Sequence, residues 1–290
     1  MIPAEIHILH NSGFYQIRDF KCNCVECHRS GIEYSNTFNI CFVRSGFFEF
    51  EVFRDTLEVH VGRVLVSKPG SEHVARHIDD QPDICSVLDF KDDFYKSIQE
   101  HYRYEVPWFF ENNDIHSLLL KCTPEIDYLH NTILKLTRPG NGIQLQLDDL
   151  VLRIVDRVMR SLGNLEELSP VAPGIRKFHL STIEKAKNYM LANFDQNIGL
   201  QQLSEHCCVS LFHFSRIFKS VMKVSPHQYL AEIRLNHAKI LLENSKFPVT
   251  QIAIQCGYNS VEHFATAFKH RFDTTPSEVR PDFSKNSKLG

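Results

Sequence analysis

No apolar run in this 290-residue chain approaches the length needed to cross a bilayer. Runs such as ICFV at 40–43 and SLLL at 117–120 end within four residues. The opening MIPAEIHILHN lacks a basic start followed by an apolar stretch, so no signal peptide is expected. A disulfide framework is also missing, because nine cysteines is an odd number in a chain of this size. These absences lead to the expectation of a cytoplasmic, reducing location and no membrane partner.

What is present is enough for two ordinary domains, each with its own core. Hydrophobic residues make up 43% and charged residues 23%, the balance of a globular chain. The net charge of −3 hides an asymmetry. Residues 175–290 hold 15 Lys and Arg against 9 Asp and Glu, a net of +6, which leaves the preceding part at −9. A basic C-terminal part behind an acidic N-terminal part points to a polyanionic partner for the former.

From residue 14 to 90 the text reads as short strands: FNICFV (38–43), FFEFEVF (47–53), LEVHV (57–61), RVLVS (63–67) and DICSVLDF (84–90). Phe48, Phe50 and Val52 alternate with Glu49 and Glu51, the period of a half-buried strand, and Ser45-Gly46 marks a turn. Many short strands at this spacing predict a sandwich or barrel. After Phe90 the period becomes helical. Residues 142–163 set Leu147, Leu150, Val151, Ile154, Val158 and Leu162 on one stripe. That stripe could pack on its own barrel or form a dimer seam. NLEELSPVAPG (164–174) is polar, with two prolines and a glycine, and reads as a linker. The expected division is a sensing and dimerisation domain over 1–163, the linker over 164–174, a helical domain over 175–283 and a tail over 284–290. The fold class is therefore α+β with two domains.

One short helix is written twice: HFSRIFK at 213–219 and HFATAFK at 263–269, fifty positions apart. Ser210 and Ser260 precede the two copies as candidate caps. LQQLSEHC (200–207) pairs with TQIAIQCG (250–257) as a helix ending in a turn. Ser225-Pro226-His227-Gln228 and Thr275-Pro276-Ser277-Glu278 each form a capping-box signature for a third helix. Each unit thus reads as helix, tight turn, helix, with residues 226–243 bridging the two. In the repeated helices (about 211–222 and 261–271) Phe214, Ile217, Phe218, Val221, Phe264, Ala267 and Phe268 fall on the inner face. The outer face carries Phe212, Ser215, Arg216 and Lys219 in the first, and Glu262, Ala265, Thr266 and Lys269 in the second, with His263 beside them. Base readers near the helix start and a cation one turn later suit insertion into a DNA major groove.

This region resembles the DNA-binding domain of the AraC/XylS family of bacterial transcription regulators. The pattern is carried by Ile252, Ala253, Gly257, Tyr258, Ser260, Phe264, Phe268, Lys269, Thr275 and Pro276. The resemblance implies two helix-turn-helix units on one long helix, double-stranded DNA as partner, a homodimer, RNA polymerase as a further partner of an activator, and an effector sensed by the N-terminal domain. Lys223 and Asp273 stand where the family usually has glycine.

Residues 62–73 (GRVLVSKPGSEH) resemble the second motif of cupin barrels, a common sensing domain in that family. The first cupin motif would supply paired histidines, yet no histidine occurs from 29 to 59. With His73 and His77 alone, cupin oxygenase chemistry is not expected and the chain does not read as an enzyme. His73 reads either as the wall of an effector pocket or as a structural histidine. The run CNCVECH (22–28) leaves three readings: Cys22, Cys24, Cys27 and His28 as zinc ligands, a redox-sensing thiol pair, or ordinary cysteines. No other cofactor is implied.

Overall fold

The computed structural model describes residues 4–22, 29–77, 82–138, 144–164 and 177–280, apart from the side chains of Lys177 and Phe178. Two compact units emerge, residues 1–184 and 185–290. Their boundary falls within helix Lys177–Asn193. Residues 165–174 of the expected linker, and the tail 284–290, lie outside the described residues.

The first unit is built on ten strands: β1 Ala4–Asn11, β2 Tyr15–Cys22, β3 Glu33–Ser35, β4 Phe38–Ser45, β5 Phe47–Val52, β6 Asp55–His60, β7 Arg63–Ser67, β8 Ser71–His77, β9 Ile84–Phe90 and β10 Ser117–Lys121. They form a six-stranded sheet, β1-β2-β9-β4-β7-β10, and a four-stranded sheet, β3-β8-β5-β6. All strand pairs are antiparallel. The alternation in β5 buries Phe48, Phe50 and Val52 with Cys41, Val43, Val59, Leu65 and Cys85 in one apolar cluster. Gly46 makes the β4–β5 turn at φ +89°, and a Cβ there would lie 2.7 Å from Asp83 Cα. Only glycine admits both the left-handed backbone and that approach.

β10 is a strand inside the stretch read as helical. Leu118 to Leu120 pair with Val66 to Val64 on the edge of the larger sheet. A short apolar run has no period of its own, so pairing with β7 decides its conformation.

Four helices complete this unit: α1 Asp92–Tyr102, α2 Pro107–Glu111, α3 Pro124–Leu136 and α4 Gln144–Gly163. The α4 stripe is internal. Leu147, Leu150, Val151, Ile154, Val158 and Leu162 are all buried, with Ile154 and Val158 at 0% exposure. α4 packs against α3 and β10, and Arg157 of α4 pairs with Glu125 of α3 at 3.0 Å. A second copy therefore cannot use this stripe as a seam, because its side chains are already covered within the chain.

The remaining elements are helices: α5 Lys177–Asn193, α6 Leu200–His206, α7 Leu211–Met222, α8 Pro226–Asn244, α9 Val249–Gln255 and α10 Val261–Phe272. α8 starts with the full capping box, in which Ser225 accepts from Gln228 N–H and the Gln228 side chain accepts from Ser225 N–H. The same reciprocal bonds join Thr275 and Glu278, at 2.7 and 3.4 Å. Yet 276–280 form a turn, so no third helix of the second unit exists among the described residues.

Candidate nucleic-acid interface

α6–α7 and α9–α10 are two helix-turn-helix units packed on α8. In the first, Phe214 and Phe218 are fully buried, and the Phe218 ring meets Tyr229 of α8 edge-on at 5.4 Å. In the second, Phe264 and Phe268 are fully buried in a cluster with Leu235, Ala238, Leu242, Ile252 and Ala253. Arg271 of α10 pairs with Glu232 of α8 at 2.6 Å. Arg234 of α8 donates to the carbonyls of Phe194 and Gln196, each at 2.7 Å. The bridging helix is thus held to both units by packing, and by charge-assisted hydrogen bonds to α10 and to the segment before α6.

The repeat has two intervals. α7 and α10 begin fifty residues apart, at Leu211 and Val261, but α6 and α9 begin forty-nine apart, at Leu200 and Val249. The turns agree with the shorter interval. Cys208 N–H donates to Glu205 O as Gly257 N–H does to Ile254 O, and Val209 N–H donates to Ser204 O as Tyr258 N–H does to Ala253 O. So the pairing of 200–207 with 250–257 is one residue out, and the second turn carries an extra residue before Ser260. Cys208 takes the left-handed conformation, φ 56°, that Gly257 takes at φ 77°. At Gly257 a Cβ would sit 2.9 Å from the carbonyl oxygens of Phe194 and Asp195, so glycine serves the packing as well as the turn. Cys208 is exposed and meets no such limit.

The caps differ too. The Ser260 hydroxyl accepts from His263 N–H at 3.2 Å, as expected. Ser210 makes no side-chain cap bond; only its carbonyl is used, accepting from Phe214 N–H at 2.8 Å. Both helices end on a left-handed residue, Lys223 at φ 63° and Asp273 at φ 56°. These are the two positions where the resemblance implied glycine, and a side chain there costs roughly 1 kcal/mol.

Most of the residues assigned to the outward face are exposed, while Ser215 and Ala265 are half-buried. Phe212 is 87% exposed, an unusual state for a phenylalanine. Arg216 and Lys219 are exposed and Ser215 is half-buried, with the Arg216 guanidinium 3.3 Å from His213 Nδ1. On α10, Glu262, His263, Thr266 and Lys269 are exposed. The Glu262 carboxylate accepts from the Ser260 hydroxyl at 2.6 Å, which holds its pKa below the ordinary value and keeps it ionised. Thr266 donates its hydroxyl to Glu262 O at 2.8 Å. His263 rests edge-on against Tyr258, with ring centroids 5.6 Å apart.

In the N-terminal unit, His73 stacks on Phe50 of the apolar cluster, centroids 4.6 Å apart, and lies 3.4 Å from the Ser35 hydroxyl. Burial lowers its pKa, so the ring is neutral at pH 7. Of the cysteine run, Cys22 is buried near His77, and Cys24, Cys27 and His28 lie outside the described residues. Asp83, which completes the surroundings of His77, was not singled out by its sequence context.

Two such units on a shared helix define a double helix-turn-helix protein. Residues 203–282 match the family described as "Helix-turn-helix domain". The chain is 32% identical over 127 residues to the HTH-type transcriptional regulator ArgR of Pseudomonas aeruginosa, covering 44% of this chain and 38% of that one. It is 30% identical over 150 residues to the virulence regulon transcriptional activator VirF of Yersinia enterocolitica, 49% of each. The chain thus spans about half or less of the length of these relatives. A solved structure of ToxT from Vibrio cholerae, bound to (E)-4-(8-methylnaphthalen-1-yl)but-3-enoic acid, aligns with 91% of this chain and 97% of that one, at 17% identity and a TM-score of 0.40.

Proposed function

We propose that the chain is a sequence-specific transcription regulator that inserts α7 and α10 into successive major grooves of double-stranded DNA. The observation that carries this reading is the duplicated helix itself. Each copy buries a phenylalanine pair against α8 and turns outward short, polar or aromatic side chains followed one turn later by a lysine. One such helix is an ordinary solvated face; two on one bridging helix can address grooves about 34 Å apart. Arg216 suits guanine O6 and N7, Ser215 either purine or pyrimidine edges, and Phe212 a thymine methyl. Lys219 and Lys269 suit phosphates.

The N-terminal unit, in this reading, is a cupin-like sensor whose apolar interior accepts a small effector beside the neutral His73. The fold serves no catalytic role. No described helix is long and apolar enough to cross a membrane, and the chain acts in the cytoplasm, with RNA polymerase as a further partner where it activates. Homodimerisation has an available surface on the outer side of α4, where Leu145 is 77% and Leu152 46% exposed, one heptad apart.

The two recognition helices should not read equally. On α10 the ionised Glu262 is repelled by phosphate and pays only by accepting from a cytosine amino group, and Ala265 and Thr266 offer methyls. Selection of bound duplexes from a random pool should therefore give a site with most of its information in the half read by α7, and one cytosine in the other half. Two equally informative halves per protomer would contradict the assignment of roles, and no enriched sequence at all would contradict the function.

A further inference from the structure

Three donor side chains meet at one rim of the N-terminal unit. Cys22 ends β2, His77 ends β8 and Asp83 precedes β9. All three are buried, at 5%, 6% and 8% exposure. One ligand atom from each lies within 4.8 Å of the others. Cys22 Sγ is 3.9 Å from His77 Nδ1, and His77 Nε2 is hydrogen-bonded to Asp83 Oδ1. The second Asp83 oxygen accepts from the Cys85 thiol at 3.2 Å. Cys22 N–H donates to the Asp83 carbonyl at 3.0 Å, so the backbones that carry two of the donors are tied together.

We infer that Cys22, His77 and Asp83 are the protein donors of a site for a zinc-type divalent cation. A thiol, an imidazole and a carboxylate buried together form an expensive set without compensation, since ionising two of them leaves two negative charges in an apolar rim. A divalent ion neutralises both and draws on all three donors. The thiolate selects zinc and similar borderline-soft ions over magnesium or calcium, which take oxygen. Zn–S and Zn–N bonds of about 2.3 and 2.0 Å sum to about 4.3 Å, so one ion reaches across the gap between Cys22 and His77. Three protein donors leave a fourth position for water or another donor, as in open zinc sites. The Cys85 thiol, donating to the other Asp83 oxygen, serves as an orienting donor.

The location gives the ion a mechanical consequence. Cys22 ends a strand of the six-stranded sheet and Asp83 immediately precedes another, β9, whereas His77 belongs to the four-stranded sheet. Loading the site would pin the two sheets together beside the apolar cluster, where Phe48 meets His77 edge-on. The inference does not depend on DNA binding and extends the sequence reading of 22–28 to partners 55 and 61 residues further along.

The test uses the full chain, stripped with chelator and titrated with Zn²⁺ against a competing chromophoric chelator. One equivalent per chain is expected. Co²⁺ in its place should give a thiolate charge-transfer band that disappears in Cys22→Ser. His77→Gln, with its circular dichroism unchanged, should bind zinc at least tenfold more weakly. Zinc-edge absorption spectroscopy of the unmutated chain needs no variant and should find one sulfur neighbour. No uptake, wild-type affinity in a folded His77→Gln chain, or two or more sulfur neighbours would overturn the inference; the last two outcomes would assign the metal to residues 22–28 alone.

Discussion

Phe218→Ala should cost the C-terminal unit about 3–5 kcal/mol, the range for removing a fully buried aromatic ring. Phe218 has 0% exposure and lies between Phe214, centroid 5.8 Å away, and Tyr229 of α8, at 5.4 Å. A helix of twelve residues like α7 is marginal in water on its own and holds its shape through this face. Domain stabilities are about 5–15 kcal/mol, so the loss is a large share of the total. Urea unfolding of the full chain should show the C-terminal transition moved to lower urea while the N-terminal transition stays. Phe212→Ala is the control: its ring is 87% exposed, and its removal should change stability by less than about 0.5 kcal/mol. Equal midpoints for Phe218→Ala and the parent chain would mean that α7 does not pack as described.

Arg216→Ala should leave the fold intact and cost about 1–3 kcal/mol of binding at one G·C position, roughly 5- to 150-fold. Arg216 is exposed on the outer face of α7 and is the only arginine on that face of either recognition helix. Its guanidinium can donate to guanine O6 and N7 together, a pairing that lysine or serine cannot copy. Its loss should therefore relax the preference at a single base pair. Lys219→Ala and Lys269→Ala should instead weaken every sequence alike and flatten the salt dependence, because a phosphate contact carries no sequence information. The measurement is duplex selection repeated with each variant. An unchanged preference in Arg216→Ala would move the reading face elsewhere.

The recognition helices were legible because the phenylalanine period and the fifty-residue interval both survive in the text. The left-handed ends at Lys223 and Asp273 were legible only through the resemblance, since neither residue type announces positive φ. What escaped was set by tertiary context. The turn of the second unit absorbs one extra residue, and Cys208 takes a conformation for which glycine would be the usual signal. β10 escaped because Leu118–Leu120 is too short to show a period and becomes a strand by pairing with β7. The α4 stripe was legible as a stripe, but a stripe does not name its partner; α3 and β10 do. Asp83 was invisible because nothing local marks it, and it meets Cys22 only through the pairing of β2 with β9.

The central claim is that one chain reads two successive grooves. Hydroxyl-radical footprinting of the full chain on a selected duplex measures this directly. Two protected patches per protomer are expected, on the same face of the helix and about one turn, roughly 34 Å, apart. Glu262→Arg with Lys269→Glu should alter the second patch while the first persists. A single patch per protomer, or two patches that ignore changes on α10, would contradict the account.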